Sequence, residues 1–459
     1  MAEGDSLPFQ RWPEVGRVGP NSLELVWLAL TSCGFPKPQM AWIRPVTNSK
    51  LLSRMLRLKA SKISDFEFRN RDQELHLAVK PYKNGCRCPH CERRGRIVQF
   101  GSEVRRWEDA TMLGIRIIFH YAPREIECPT HGRVQEAIPW AAAYSRVTYR
   151  LEYRICALCQ IMTQKAAAEI LKMPTSTLSD LLHRVINRAR DGHKIRGLTT
   201  VGIDEISYCK GRKFATIVYD LDRACVVWVG KGKGRETIDR FFQEALSHEQ
   251  RKRVRWASCD MSDAYINAIR HHLPNVSLVI DRFHLVKALN SAVDEVRKEE
   301  WRQLDVKGRK AIKGLRWLLS LHSRNRTKAH TRFLNRLRQS NRRIHRAWVL
   351  KDEFEHFWSY RSETVARRFL KRWMTAALRS RIPSLRVFVT TLRKYFDNVV
   401  TFINRPLTNA VAEGLNRIIK IVKNRASGFR TLDSFANLIF LTVGDLDILA
   451  QIPSELRTL

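Results

Sequence analysis

Short apolar runs alternate with amphipathic stretches between residues 198 and 290, and this pattern predicts strands and helices in turn. Three consecutive strands are expected first, then a helix, and then strand, helix, strand and helix. In chain order these elements are Thr200–Cys209, Lys213–Asp222, Cys225–Val229, Arg235–Leu246, Val254–Cys259, Ser262–Leu273 and Val276–Ile280, followed by a last helix. Three antiparallel strands followed by alternating helices and parallel strands is the element order of an RNase-H-like α/β fold.

Acidic residues occupy selected positions on these strands. Asp204 lies inside the first strand, and Asp260 directly follows the fourth. Because two carboxylates on neighbouring strands can share divalent metal ions, both are candidates for catalysing in-line displacement at phosphorus. Asp281 follows the fifth strand and either caps the next helix or lines the site as an auxiliary acid. Glu205 should point to the opposite face of the strand from Asp204.

Helical periodicity dominates residues 145–196. Thr163–Leu171, a turn and Thr175–Arg190 form a helix-turn-helix pattern, which an ordinary helical hairpin would share. We expect Thr175 or Ser176 to cap the second helix. Its apolar stripe consists of Leu178, Leu181, Leu182, Val185 and Ile186. The side chains that its exposed start offers to a DNA major groove are Thr175, Ser176, Thr177 and Ser179.

The ten cysteines fit metal binding in a reducing compartment better than disulfides. Two ligand pairs share the same two-residue spacing, on either side of a basic, β-rich insert, and predict a structural zinc site of the ribbon type. The proposed ligands are Cys88, Cys91, Cys128 and His131. Cys86 competes for one position, and scattered buried thiols are the alternative explanation. Cys156 and Cys159 lie one helical turn apart without a second pair, which favours core packing.

The charge balance points to a partner. The chain carries 82 Lys and Arg residues against 45 Asp and Glu, a formal net charge of +37. Such an excess is typical of proteins that bind polyanions, and it favours DNA binding by the helix-turn-helix. Residues 286–400 hold 29 of the basic and 10 of the acidic residues in helical segments that interleave tryptophan and arginine, which suits a surface along DNA phosphates. No apolar run approaches the roughly 18 residues of a membrane span, and no signal-peptide pattern is present.

A final amphipathic pattern supplies a third acid. Thr408–Asn424 is predicted to be a helix that begins after Pro406. Its apolar face consists of Val411, Leu415, Ile418, Ile419 and Val422. Glu413 lies on the polar side with Asn416, Arg417 and Lys420, where packing does not need it, so it is a candidate third metal ligand. The alternative is an intrahelical ion pair with Arg417.

Together these segments resemble the ISL-three group of bacterial insertion-sequence transposases, which use an Asp-Asp-Glu catalytic domain. The resemblance covers roughly residues 60–450, and the matching segments are IDEISYCKGRKFATIVYDLD, SCDMSDAYINAIRHHLP, VIDRFHLVKALN and TNAVAEGLNRIIKIVKNRASGFR, with the cysteine pairs and the helix-turn-helix upstream. It implies that Asp204, Asp260 and Glu413 are the catalytic acids and hold two Mg²⁺ ions about 4 Å apart, with Mn²⁺ able to replace them. His131 departs from the family, in which a cysteine is more usual.

The implied activity is DNA transposition. The protein would bind the terminal inverted repeats of its element, with Arg417 and Lys420 as further DNA contacts, then cleave DNA strands and join the ends to target DNA. It would act as a homodimer or larger homo-oligomer on DNA, in the bacterial cytoplasm at the nucleoid. Two alternatives are a catalytically silent DNA-binding regulator and a structure-specific nuclease on the same fold. The presence of all three acids argues against the regulator.

The expected fold class is multidomain α+β, in which a long basic helical insertion interrupts the RNase-H-like α/β catalytic domain. The expected segments are an N-terminal extension (1–60), a zinc-ribbon, β-rich module (61–144), a helix-turn-helix domain (145–197), the first part of the catalytic domain (198–285), the insertion (286–405) and the last catalytic helices (406–459).

Overall fold

The computed structural model describes residues 48–56, 58, 61–82, 85–191, 193, 195–209, 213–404, 410–426, 428–429 and 431–446. Most of the predicted N-terminal extension, the first two residues of the helix predicted over Thr408–Asn424, and residues 447–459 of the predicted last segment lie outside these ranges. None of the helices within them combines the length and apolar composition that crossing a membrane requires.

Seven strands and one short helix form the β-rich part of the chain. These elements are α1 (Asn48–Met55), β1 (Ser61–Arg69), β2 (Glu74–Pro81), β3 (Arg96–Gln99), β4 (Arg105–Met112), β5 (Ile115–Tyr121), β6 (Glu125–Cys128) and β7 (Gly132–Gln135). Four strands form a mixed sheet in the order β1-β2-β5-β4, and three form an antiparallel sheet in the order β3-β6-β7. Leu56, just after α1, is buried in the core of the four-stranded sheet, so the last residues of the predicted extension pack with this module.

The predicted helix-turn-helix is present. Its helices are α2 (Tyr149–Ile161), α3 (Gln164–Ile170) and α4 (Thr175–Arg190), and the predicted apolar stripe of α4 is buried. Cys156 and Cys159 are buried in the same core, as predicted.

The cap of α4 differs from the prediction. Pro174 occupies the N-cap position with extended backbone angles, and no side chain caps the helix, so neither Thr175 nor Ser176 has that role. Because proline fixes its own φ near the value needed before a helix, the turn is set by the backbone of Pro174 instead.

A five-stranded sheet lies at the centre of the molecule. Its strands are β8 (Thr200–Cys209), β9 (Lys213–Asp220), β10 (Cys225–Lys231), β11 (Trp256–Cys259) and β12 (Ser277–Ile280). The order is β10-β9-β8-β11-β12, with antiparallel pairing from β10 to β8 and parallel pairing from β8 to β12. The predicted order of the five strands is therefore confirmed, and one helix that was not predicted, His248–Arg253, precedes β11. The helices between these strands are α5 (Arg235–Arg240), continued by a π-helical turn (Phe241–Ala245), α6 (His248–Arg253) and α7 (Asp263–His272).

The residues that follow β12 are helical, as predicted. The helices are α8 (Arg282–Gln303), α9 (Val306–Ile312), α10 (Leu315–Ser320), α11 (Lys328–Ser340), α12 (Arg342–Phe354), α13 (Glu363–Arg379), α14 (Pro383–Lys394) and α15 (Phe396–Asn404). Asn398 of α15 donates a hydrogen bond to the carbonyl of Leu278 in β12 over 3.3 Å. Helices α8–α15 therefore share a hydrophobic core with the sheet.

Two helices complete the described chain, α16 (Ala410–Arg425) and α17 (Leu432–Val443). Leu415, Ile419 and Val422 of α16 are buried as predicted, but Ile418 is 39% exposed. Ile418 lies at the edge of the apolar stripe, whereas Asn416, from the predicted polar side, is buried against the sheet.

The two faces of the five-stranded sheet belong to different cores. Along β9, Val218 packs with α5, α7 and α8–α15, whereas Ile217 and Tyr219 pack with α2–α4, α16 and α17. This split follows from the alternation of side chains along a strand. The helix-turn-helix and the basic helical insertion therefore lie on opposite faces of one sheet.

Candidate active site and metal-binding cluster

Three aspartates lie side by side at the same register position across the three parallel strands β8, β11 and β12. Ser258 of β11 pairs with Gly202 of β8, so two residues further on Asp260 is level with Asp204. Cys259 pairs with Ile280 of β12, which places Asp281 beside Asp260. Because neighbouring strands lie about 4.8 Å apart, the three carboxylates are neighbours in space.

The three aspartates also face the same side of the sheet. Their chain neighbours Ile203, Cys259 and Ile280 pack in the core with the insertion. By strand alternation the aspartates point the other way, toward the face that α16 covers. The predicted pair of Asp204 and Asp260 is thus brought together, with Asp281 next to them.

Asp204 is held by its neighbours. Its Oδ1 accepts a hydrogen bond from the backbone N–H of Glu205 over 2.7 Å, and its Oδ2 accepts one from Asn416 Nδ2 over 2.6 Å. The Tyr219 hydroxyl, fully buried, donates to Asn416 Oδ1 over 2.5 Å. Burial raises the pKa of Asp204 above its ordinary value. This chain of contacts fixes the orientation of the Asp204 carboxylate.

Asp260 is held less completely. The backbone N–H of Ser262 donates a hydrogen bond to its carboxylate, but its buried Oδ1 has no hydrogen-bond partner among the residues that the structure describes. Burial raises the pKa of this carboxyl, and the negative charges of Asp204 and Asp281 raise it further. A buried carboxylate oxygen without a donor is costly unless a cation reaches it.

Asp281 has the capping role that was one of its two predicted roles. Its Oδ1 accepts a hydrogen bond from the backbone N–H of Phe283 at the start of α8 over 2.9 Å. Its Oδ2 lies 2.8 Å from Nδ1 of His284, and this hydrogen bond raises the pKa of the imidazole. The charges of Asp204 and Asp260 also raise the pKa of His284, so the imidazole next to Asp281 has its charged form favoured by all three aspartates.

Glu413 stands apart from this group. Its side chain is 63% exposed, and its Oε1 lies 3.9 Å from Nη2 of Arg417, one turn along α16. This contact is the ion pair that the sequence offered as the alternative to metal binding. Glu413 is nevertheless three residues before Asn416, which touches Asp204.

The predicted zinc ligands come together at a second place. The turn between β6 and β7 supplies Cys128 and His131, and the turn before β3 supplies Cys88 and Cys91. Their four ligand atoms lie within 4.8 Å of one another. Sγ of Cys91 lies 3.5 Å from Sγ of Cys128, and Nδ1 of His131 lies 3.7 Å from Sγ of Cys88. Among the described residues this is the one compact cluster of metal-binding side chains.

The thiols near this cluster differ in acidity. A hydrogen bond from the backbone N–H of Thr130 is the main cause that lowers the pKa of Cys128 to about 6. Burial instead raises the pKa of Cys86, which lies outside the cluster. Burial and the neighbouring thiols raise the pKa of Cys91 as well, so thiol acidity does not separate the two ligand sets. The geometry favours the predicted set, because its four ligand atoms lie within 4.8 Å of one another and Cys86 lies outside that group.

The predicted DNA-binding side chains are accessible. Thr175, Ser176 and Thr177 are exposed at the start of α4, and Ser179 is half-buried. Arg417 and Lys420 are exposed on α16.

Two residues of the acid site were not predicted as functional. Asn416 was placed on the polar side of its helix, but an amide on such a face gives no sign of contact with Asp204. His284 follows Asp281 by three residues, and that spacing on one helix turn is the signal that could have found it.

Comparison with known proteins defines the class. Residues 201–439 match a family model described as "Transposase", and residues 136–186 match a model described as "Helix-turn-helix domain of transposase family ISL3". The protein is therefore a transposase by class. The chain belongs to transposase family ISL3.

Curated relatives agree with this assignment. The chain is 32% identical over 368 residues to "Transposase for insertion sequence element IS1001" of Bordetella parapertussis, which covers 79% of this chain and 89% of the relative. It is 24% identical over 414 residues to "Transposase for insertion sequence element IS1557" of Mycobacterium tuberculosis, covering 84% of this chain and 93% of the relative. The solved "Drosophila P element transposase strand transfer complex" aligns with 67% of this chain and 92% of that chain, with 11% identity and a TM-score of 0.34, too low to establish a common fold.

Proposed function

We propose that this protein is the DNA transposase of a bacterial insertion sequence, and that Asp204, Asp260 and Glu413 catalyse cleavage and joining of DNA strands. The observation that carries the proposal is the buried, unpartnered Oδ1 of Asp260 at the level of Asp204. The match of residues 201–439 to a transposase model spans Asp204, Asp260 and Glu413.

The residues present fit divalent metal ions. Carboxylate oxygens are the ligands that Mg²⁺ and Mn²⁺ prefer, and the orphaned oxygen of Asp260 needs a cation. Asp204 and Asp260 would hold the ions together with Glu413. Bound ions would supply Lewis-acid stabilisation of the charge that develops at the phosphorus, and would acidify the attacking water or 3′-hydroxyl.

The chain's own residues have separate roles. Asn416, held by Tyr219, keeps Asp204 in one orientation. His284 holds Asp281, and the protonated imidazole, which the aspartates favour, would partly offset their negative charge. In this assignment none of them forms a covalent bond to DNA, since water and a DNA 3′-hydroxyl are the nucleophiles.

The assignment of Glu413 rests on its position along α16. Three helical residues span about 4.5 Å along the axis, and residues three apart share a face of the helix. Glu413 therefore lies one turn from the amide that binds Asp204. Its contact with Arg417 is long and exposed, so a bound ion would compete with a weak partner.

We further propose that the central sheet is the RNase-H-like core of the catalytic domain. The strand order and the change from antiparallel to parallel pairing at β8 support this fold. The proposed division assigns residues 61–144 to the zinc module, 145–197 to the helix-turn-helix domain, 198–285 and 406–459 to the catalytic domain, and 286–405 to the insertion.

A structural zinc ion is proposed for the cysteine–histidine cluster. Zinc–sulfur bonds of about 2.3 Å in a tetrahedron place the sulfurs roughly 3.8 Å apart. The observed separation of 3.5 Å between Cys91 and Cys128 is close to that value. The ion would tie the β6–β7 turn to the turn that precedes β3.

DNA is the proposed partner. Thr175, Ser176, Thr177 and Ser179 would read the terminal repeats, and Arg417 and Lys420 would contact phosphates beside the acids. Two or more copies of the chain would assemble on DNA, because an element has two ends.

One assay tests the proposal. Purified protein is mixed with Mg²⁺, labelled duplexes that carry the inverted repeat bounding its coding sequence, and a target plasmid. Strand-transfer product is expected. Nicks without joining would indicate a nuclease, and a mobility shift without cleavage would indicate a regulator. Either result would overturn the proposed function.

A further inference from the structure

We propose that a groove along helix α8 binds the DNA that flanks the element, on the far side of the cleavage position from the terminal repeat. The groove would take the phosphodiester backbone of duplex DNA and end in a cationic cleft. This inference rests on the proposed function, because it takes the cluster of Asp204, Asp260 and Asp281 (the acid cluster) as the place of cleavage.

The groove begins beside the acids. Its first part is a cleft of about 460 Å³ between α8 and α10, and Phe283, Lys287 and Asn290 line the end nearest the acids. Phe283 is 55% exposed and is two residues from Asp281. The entrance of the groove is therefore adjacent to the acid cluster.

The groove continues into a second cleft of about 450 Å³. The two clefts share Lys298 and Arg316. The lining of the second is cationic apart from Trp301 and Gly314, and contains no acid; its basic residues are Arg297, Lys298, Arg302, Lys313 and Arg316. We call this second part the cationic cleft.

Acids of α8 neutralise three of the five cations that line the cationic cleft. Asp294, which lines the first cleft, contacts Arg297 over 2.7 Å and also lies near Lys298 and Arg316, and Glu295 contacts Lys298 over 3.1 Å. These three cations are therefore largely paired with acids.

Arg302 and Lys313 are different. Both are exposed, and neither has an ion pair within the described ranges of the chain. Two unpaired cations at the end of a groove fit the phosphates of a nucleic-acid backbone. Charge complementarity therefore places the phosphate contacts at the far end of the groove.

The length of the groove suits a DNA duplex. From Phe283 to Arg302 helix α8 advances by about 28 Å, at 1.5 Å per residue. Duplex DNA covers that distance in roughly eight base pairs, at 3.4 Å per step. DNA that leaves the acids along α8 would reach Arg302 and Lys313 after that interval.

The direction in which the DNA duplex runs follows from what packs on each face of the central sheet. The helix-turn-helix packs on the face that the three aspartates share, and α8–α15 pack on the opposite face. A duplex that passes the acids would have the repeat on the helix-turn-helix side. Its flank would then run on the side of the insertion.

The experiment compares three proteins on duplexes that contain the repeat and extend outward from its outer edge by about six, nine or twelve base pairs. The proteins are the wild type, the double variant Arg302→Ala/Lys313→Ala and a matched control, Arg368→Ala/Lys371→Ala. The control removes two exposed cations from α13, elsewhere on the insertion. Affinity is measured by fluorescence anisotropy at several salt concentrations.

Wild type and control should bind more tightly once the flank exceeds about eight base pairs, whereas the double variant should not gain affinity. On the longest duplex, its slope of log affinity against log salt should fall by about 1.8 relative to wild type, since each phosphate contact contributes about 0.9. Equal gains by all three proteins would overturn the inference, as would equal losses in the double variant and the control. Cleavage by the wild type is scored separately, so its absence would count against the proposed function and not against the groove.

Discussion

Asp260 is the acid whose substitution should separate chemistry from DNA binding. Asp260→Ala should abolish cleavage and joining while end-DNA binding stays nearly intact, because the side chain contributes an unpartnered oxygen to the acid cluster and none to the helix-turn-helix. Asp263→Ala, which removes an exposed acid three residues away that pairs with Lys394, is the matched control. Retention by Asp260→Ala of more than about a tenth of wild-type activity in Mg²⁺ would remove Asp260 from the metal site.

Asn416 connects the last helix to the acids. Asn416→Asp should lower the melting temperature, because it puts a second carboxylate where an amide now donates to Asp204 over 2.6 Å. Mg²⁺ should recover more stability in this variant than in wild type, since the added carboxylate can also bind the ion. Asn416→Ala loses the same hydrogen bond without adding a charge, so it should be destabilised without extra recovery. Equal responses to Mg²⁺ in both variants would place the metal elsewhere.

Substitution of Glu413 tests whether this side chain is a metal ligand or only the partner of Arg417 in an ion pair. Glu413→Gln should change the free energy of unfolding by less than about 0.5 kcal/mol, because its contact with Arg417 is exposed. Strand transfer should nevertheless fall by several orders of magnitude, with partial recovery in Mn²⁺. Glu249→Gln, which breaks a comparable exposed pair with Lys252, should leave strand transfer unchanged. A folded and fully active Glu413→Gln protein would exclude Glu413 and make Asp281 the leading candidate for the third ligand.

The two turns that carry the cysteine–histidine cluster give the clearest prediction of a bound metal ion. The full chain should contain about one zinc ion, and Cys128→Ser should lose it together with the order of the β6–β7 turn. Cys86→Ser should keep the metal, because Cys86 lies outside the cluster. Elemental analysis with circular dichroism measures both effects. Zinc retained by Cys128→Ser and lost by Cys86→Ser would reverse the ligand assignment.

The strands and their acids were predictable because local signals suffice for them. Asp204 lies inside a clear strand pattern, and Asp260 and Asp281 directly follow two others, so all three could be placed on the sheet from the sequence. The prediction of the capping residue of α4 was wrong because Thr175 and Pro174 are both acceptable at the start of a helix, and only the backbone conformation decides between them. Asn416 was missed because its contact with Asp204 joins residues 212 positions apart, which no local period reports.

Across the whole molecule, Arg425 joins the helix-turn-helix to the last helices. Its guanidinium donates to the carbonyls of Gln160 and Cys159 at the end of α2 over 2.9 and 3.0 Å. Arg425→Ala should destabilise the protein by about 1.5–3 kcal/mol, because both bonds have a charged donor. Lys423→Ala, in the same turn of α16, should have a much smaller effect. Denaturant unfolding followed by fluorescence and by circular dichroism measures the difference, and equal stability of the two variants would contradict the role of Arg425.

The shared core of the helix-turn-helix and the central sheet has a consequence for the DNA. In the proposed function α4 reads bases and the aspartates mark the bond that is cut. Because α4 and β8, the strand that carries Asp204, pack in one core, the protein would set the interval between those two positions. B-DNA rotates by a full turn in about ten base pairs, so five added base pairs would present the opposite side of the duplex to the acids. An insertion sequence served by this protein must therefore keep a constant number of bases between its recognised motif and its boundary.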